Sequence, residues 1–115
     1  MHEMSIVQAL IEQVGAEVEQ SGHRGRVVAL EVVVGRLSGV HADALRFGFE
    51  LLSPGTVVAG AELRIAEPEA CLRCHACGVF QPLAEFALRC PSCDSDRVTI
   101  EGGQELLLQT IELED

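Results

Sequence analysis

Apolar residues recur with helical spacing from the start of the chain. Ile6, Leu10, Val14 and Val18 fall every four residues, and Val7 and Ile11 widen the stripe. Ser5 and Gln8 have capping-box spacing, which places the start of this helix just after Ser5. Gly22 and Gly25 close the segment. The run "RVVALEVVV" is β-branched and apolar on both faces except at Glu31, the pattern of a central strand. "GRLSGV" reads as a turn. "HADALRFGFELL" then predicts a second helix with Leu45, Phe49 and Leu52 on one side, stopped by "SPG".

"AELRIAEPE" alternates, with Leu63 and Ile65 pointing one way and Glu62 and Arg64 the other, so it predicts a half-exposed strand ended by Pro68. Composition shifts at Ala70. The stretch from Cys71 to Cys93 holds every cysteine and little that packs a core. The tail "ELLLQTIELED" predicts a last strand, with Ile111 and Leu113 opposing Glu112 and Glu114. The expected fold is α+β: a small three-stranded mixed sheet with two helices on one face, its first two strands joined in a right-handed β-α-β unit. A four-cysteine ribbon lobe is inserted before the last strand. The expected units are residues 1–69 with 99–115, and 70–98.

Composition narrows the function classes. The chain has 115 residues, enough for one domain carrying a small metal-closed lobe. A hydrophobic fraction of 48% supports a real core, and four Phe with no Trp or Tyr make that core aliphatic. A formal charge of −10 argues against a protein that tracks a phosphate backbone and fits one that meets proteins or cations. No apolar stretch reaches membrane-spanning length, and the N-terminus lacks a secretory start. The expected compartment is therefore a reducing cytoplasm, where five cysteines read as metal ligands rather than disulfides.

The strongest chemical signal is "CLRCHACGVFQPLAEFALRCPSCDS". It contains two C-x-x-C pairs, Cys74/Cys77 and Cys90/Cys93. A tetrahedral ion needs four thiolates converging on one point, and each C-x-x-C turn delivers two. Gly78 and Asp94, after the pairs, tolerate the left-handed backbone at the end of such a knuckle, and Pro91 stiffens the second turn. This is a zinc-ribbon pattern, with Zn2+ the default ion and a structural role expected, because four thiolates leave no open position for water. Such binding is worth roughly 10–16 kcal/mol in small zinc modules, enough to fold a lobe without a core of its own. Cys71-x-x-Cys74 is also a legal pair. The Cys74/Cys77 register is favoured because Gly78 follows it, leaving Cys71 as a spare thiol.

The opening "MHE" is a second candidate site. The terminal amine releases its proton readily, with a reference pKa of about 7.7–8.0. The His2 imidazole reaches the same ion, and the backbone nitrogen between them closes two adjoining chelate rings. Planar nitrogen-rich sets suit Ni(II) or Cu(II) better than zinc. A fourth position falls to the backbone nitrogen or carboxylate of Glu3, or to water. Taken alone, a histidine at position 2 carries no such meaning.

In combination, "MHEMSI", "GRLSGV", "SPGTVVAGAELRI", the CxxCG…CPxC lobe and the closing "GQELLLQTIELE" resemble the HypA/HybF family of hydrogenase maturation nickel chaperones. The resemblance runs in order over essentially the whole chain. It implies a nickel-binding α/β domain around His2 and a zinc domain inserted before the last strand. It implies a carrier, not an enzyme, that delivers Ni2+ to the large subunit of [NiFe]-hydrogenase with a HypB-type GTPase; some members also serve urease through its maturation proteins. Carried over by residue, nickel goes to Met1, His2 and Glu3, and zinc to Cys74, Cys77, Cys90 and Cys93. Two departures stand out. Cys71 is extra, and no histidine lies in positions 94–115, where some relatives are thought to recruit one.

Nothing else in the sequence suggests catalysis: it holds no P-loop, GxGxxG or HExxH. His23 in its Gly-flanked turn, His41 and His75 read as surface residues. Two rival classes remain. A nucleic-acid-binding ribbon predicts a basic stripe around the knuckles, but the lobe carries only Arg73, Arg89 and Arg97. A rubredoxin-like electron carrier predicts a red iron–thiolate protein instead of a colourless one.

Overall fold

The computed structural model describes residues 3–114. Helix α1 spans Glu3–Ser21 and buries Val7, Leu10 and Val14, the stripe that the helical spacing predicts. It ends where the Ser21 hydroxyl donates to the Val18 carbonyl at 2.7 Å and Gly22 takes φ 70°. The helix begins earlier than the capping-box spacing predicts. Ser5 lies inside the helix and is exposed, so its hydroxyl is not at the N-cap position where that box operates.

Strand β1 (Val27–Val34) pairs on both edges. Helix α2 (Ala42–Leu52) carries the chain across to β2 (Glu62–Ala66), which runs parallel to β1. The last strand of the chain, Leu106–Leu113, lies antiparallel on β1's other edge, completing a mixed three-stranded sheet. Both helices pack on one face. Val7, Leu10 and Val14 meet Leu45, Phe49, Leu30, Val32 and Val34 in a single aliphatic core. Gly48 lets the helices approach closely: a Cβ there would lie 2.8 Å from Met4 Sδ and 3.2 Å from Val7 Cγ2. The other face of the sheet carries charge, with Arg64 joining Glu112 at 2.6 Å and Glu62 at 3.1 Å.

The cysteine-rich segment is more ordered than its composition predicts. It forms a second three-stranded sheet from β3 (Ala70–Cys74), β4 (Phe80–Leu83) and β5 (Val98–Glu101), in the order β4-β3-β5. In chain order the strand Leu106–Leu113 is thus β6. Ala70, Leu72, Cys74, Leu83 and Cys90 form a small second core. Two features hid it from the sequence: the thiols themselves count among its apolar members, and Leu37 is borrowed from the turn after β1. Strand β5 also continues past residue 98, pairing Cys71 with Glu101.

The turn Gly35–Leu37 clasps both connections between the sheets. Gly35 N–H donates to Glu105 O at 2.7 Å, Arg36 N–H to Pro68 O at 3.0 Å and Leu37 N–H to Gly103 O at 2.6 Å. The Arg36 guanidinium adds bonds to Glu67 O and the Glu69 carboxylate, each at 3.1 Å. Gly103 takes φ 79°, and a Cβ on it would sit 2.4 Å from Ala70 Cβ and 2.7 Å from that residue's backbone. Only glycine fits there.

Candidate metal centres

Two short turns bring four sulfurs together. In the first knuckle Gly78 N–H donates to Cys74 O at 3.0 Å and Gly78 takes φ 81°. In the second, Asp94 N–H donates to Cys90 O at 2.8 Å and Asp94 takes φ 63°. Each turn reverses the chain in one left-handed step, which glycine makes without strain and aspartate tolerates. The Sγ atoms of Cys74, Cys77, Cys90 and Cys93 all lie within 4.8 Å of one another, with Cys74–Cys93 at 3.6 Å and Cys77–Cys90 at 3.8 Å. Four thiolates each about 2.3 Å from one tetrahedral ion stand about 3.8 Å apart. The cage has the dimensions of a four-thiolate metal site.

Its electrostatics point the same way. The Cys74 thiol is pulled down to about 6, first by the Cys77 backbone N–H and also by that of Ala76, both 3.4 Å from its sulfur. At Cys93 the Ser95 backbone N–H favours the thiolate, but burial and the neighbouring sulfurs outweigh it and push the group up to about 12. One sulfur ionises easily and the crowd then resists further charge, a conflict that a divalent cation relieves. Ser92 N–H supports the second knuckle through Cys90 Sγ at 3.4 Å. Cys71 stands apart. It is half-buried in β3 opposite Pro82 and Glu101, outside the four-sulfur group.

Met1 and His2 lie outside the described residues. Glu3 opens α1, and its carboxylate accepts the His41 backbone N–H at 3.1 Å. His41 is the N-cap of α2 and its side chain makes no cap bond, while Glu3, 38 residues away, takes up the N–H of His41 itself. The bond to His41 N–H holds the Glu3 carboxyl below its ordinary value, helped by its own backbone N–H and the His41 ring. No sequence spacing signals this contact. Two other histidines are engaged locally: His23 Nδ1 accepts Gly25 N–H at 2.8 Å, and His75 Nε2 lies 2.7 Å from Thr99 Oγ1. The His41 side chain is exposed.

A closed cage of four thiols beside a two-helix mixed sheet defines a small metal-binding protein of the α+β class. Among the described residues no helix is long and apolar enough to cross a membrane. In sequence, residues 1–113 match the family described as "Hydrogenase/urease nickel incorporation, metallochaperone, hypA". The hydrogenase maturation factor HypA of Chlorobaculum parvum is 46% identical over 114 residues, covering 99% of this chain and all of that protein. The factor of the same name from Klebsiella pneumoniae is 38% identical over 115 residues, with 99% and 100% covered. Among solved structures, the Ni metallochaperone HypA from Helicobacter pylori has a TM-score of 0.64 at 25% identity, covering 98% of this chain and 97% of that one. A second HypA solution structure reaches 0.70 at 26% identity, with 99% and 97% covered. The chain belongs to the HypA family of nickel-incorporation metallochaperones, a family of maturation factors and not of catalysts.

Proposed function

We propose that this chain carries Ni(II) at its N-terminus, on Met1, His2 and Glu3, and hands it to the large subunit of [NiFe]-hydrogenase in the cytoplasm. A HypB-type GTPase supplies the nucleotide chemistry, and urease maturation proteins are a second outlet. Zinc on Cys74, Cys77, Cys90 and Cys93 holds the shape of the ribbon. The nickel unit comprises residues 1–69 and 99–115, and the zinc unit residues 70–98.

The observation that carries this reading is the closure of the sulfur cage in a chain of this family. Four protein thiolates fill a tetrahedral ion, and two of them, Cys74 and Cys90, are buried. An ion held there has no position open to an incoming ligand, so cargo needs another seat. His23 and His75 are engaged locally and His41 offers a single exposed ring, so the adjoining amine and imidazole at the start of the chain are the nitrogen donors suited to chelation. The Glu3 carboxylate is occupied by His41 N–H, which favours the Glu3 backbone nitrogen as the further donor. Planar nitrogen sets are preferred by Ni(II), and their open faces admit an acceptor's thiolate or imidazole for ligand exchange.

Nickel titration of untagged, zinc-loaded protein tests the site. His2→Ala is expected to abolish tight binding, and so is an extra residue ahead of Met1, which removes the free amine. Equal affinities for the parent and His2→Ala would refute the assignment. X-ray absorption at the nickel edge showing four sulfur ligands would refute it independently.

A further inference from the structure

The outer edge of β6 is unpaired among the described residues, because β6 bonds only to β1 in the order β2-β1-β6. Proteins usually guard such an edge with lysine, proline or a covering element. This one has "LLLQTIEL", without proline, in a chain that contains no lysine at all. Beside it runs an apolar groove of about 370 Å³ lined by Ile6 and Leu10 of α1 and by Leu106, Leu107 and Leu108. Leu106 and Leu107 are 39% and 47% exposed. The groove continues along β6 past Gln13 and Glu17 of α1 to Ile111.

Its polar rim is acidic. Glu17 lines it, and Glu105 immediately precedes β6 in the chain. No arginine lines the groove. Arg26 is paired with Glu114, and Arg64 with Glu62 and Glu112.

We propose that this edge is a strand-docking site. Its occupant is an extended segment of a partner protein, with alternating apolar side chains and basic residues at its ends. Backbone bonds along β6 supply affinity, and every second side chain enters the groove between α1 and the sheet. The basic end nearest Glu17 pairs with it, and the chain's net charge of −10 favours the other. A second copy of this chain fits worse. It brings no lysine, and its Arg26 and Arg64 are paired with glutamates of their own chain, so nothing basic meets Glu17 between molecules that each carry −10. Ser5 and Ile6 line the same groove, so a docked segment lies against the first turns of α1. The inference does not depend on the nickel reading, and its test contains no nickel.

The probe is a synthetic peptide alternating valine and threonine, with two lysines at each end, added to isotopically labelled, zinc-loaded full chain. The amides of Leu106–Leu113 are expected to exchange more slowly, with shifts spreading to Ile6 and Leu10. Replacing the terminal lysines with glutamates, or substituting Leu106→Lys or Gln109→Lys in the chain, is expected to weaken binding about tenfold or more. Gln109 is exposed, so that variant keeps the test open if Leu106→Lys fails to fold. Unchanged β6 amides at about 1 mM peptide would overturn the proposal. So would equal binding of the glutamate-ended peptide, or self-association that Gln109→Lys abolishes.

Discussion

Substituting Gly103→Ala tests whether the clasp between the two sheets is as tight as its geometry implies. Two costs add at this position. The backbone sits at φ 79°, where an L-residue is worse off than glycine by about 1–2 kcal/mol. The new methyl then meets Ala70 Cβ at 2.4 Å and its backbone Cα and N at 2.7 Å, none of which is the far end of a flexible side chain. Overpacking of this kind costs about 1–3 kcal/mol. If the strand moves to relieve it, the 2.6 Å bond from Leu37 N–H to Gly103 O is lost as well, worth about 1 kcal/mol. The expected destabilisation is about 2–5 kcal/mol without that loss and about 3–6 kcal/mol with it, a large share of a small domain's stability. Gly39→Ala is the control. It has φ 81° but nothing within 4 Å of a Cβ, so it carries the backbone cost alone. Urea unfolding of the zinc-loaded protein, followed by circular dichroism and by zinc release to a chromophoric chelator, measures both variants. If Gly103→Ala proves no more damaging than Gly39→Ala, the close approach at Ala70 is not real and the clasp argument fails.

Metal retention should depend on pH in a stated direction. Cys93 sits near 12 and keeps its proton at neutral pH, so metal binding must expel that proton, and affinity should fall at least about tenfold for each unit between pH 8 and pH 6. Below about 6 the Cys74 thiolate also protonates and the fall should steepen; competition with a chelator at several pH values measures it, and a flat profile would contradict the sulfur cage. Glu3 should titrate below its ordinary value of 4.5 in an NMR titration of the carboxyl carbon. Because its folded value is depressed, whatever stability it lends is present above 4.5 and is lost as pH falls through the folded value. Glu3→Gln should therefore flatten the acid limb of the unfolding curve and raise exchange at His41 N–H, whereas an unshifted Glu3 would deny that bond.

How much of this could be read from the sequence differs by element, for physical reasons. The stripe of α1 is legible because burial repeats with the helix period, and β1 because a long β-branched run suits the middle of a sheet, although helices cover only one of its faces. The knuckles are legible as paired thiols followed by Gly78 and Asp94, residue types that report a left-handed backbone directly. The start of α1 is not legible, because Ser5 offers a local cap, whereas the helix extends back to Glu3, whose carboxylate bonds the N-cap residue of α2, His41. The second core escaped because it is small and discontinuous: Leu72 and Leu83 stand among cysteines, and Leu37 arrives from a turn that precedes α2. Contacts made across such separations leave no periodic trace.

The clasp at Gly35–Leu37 limits how freely the ribbon can be exchanged. A ribbon transplanted from another protein would reach the same two connections without an alanine shaped to Gly103 or a neighbour for Leu37. Grafts cut only at the ends of the cysteine segment should therefore fold poorly. Those that also carry over the three-residue turn should succeed, which makes that turn the true seam of the molecule.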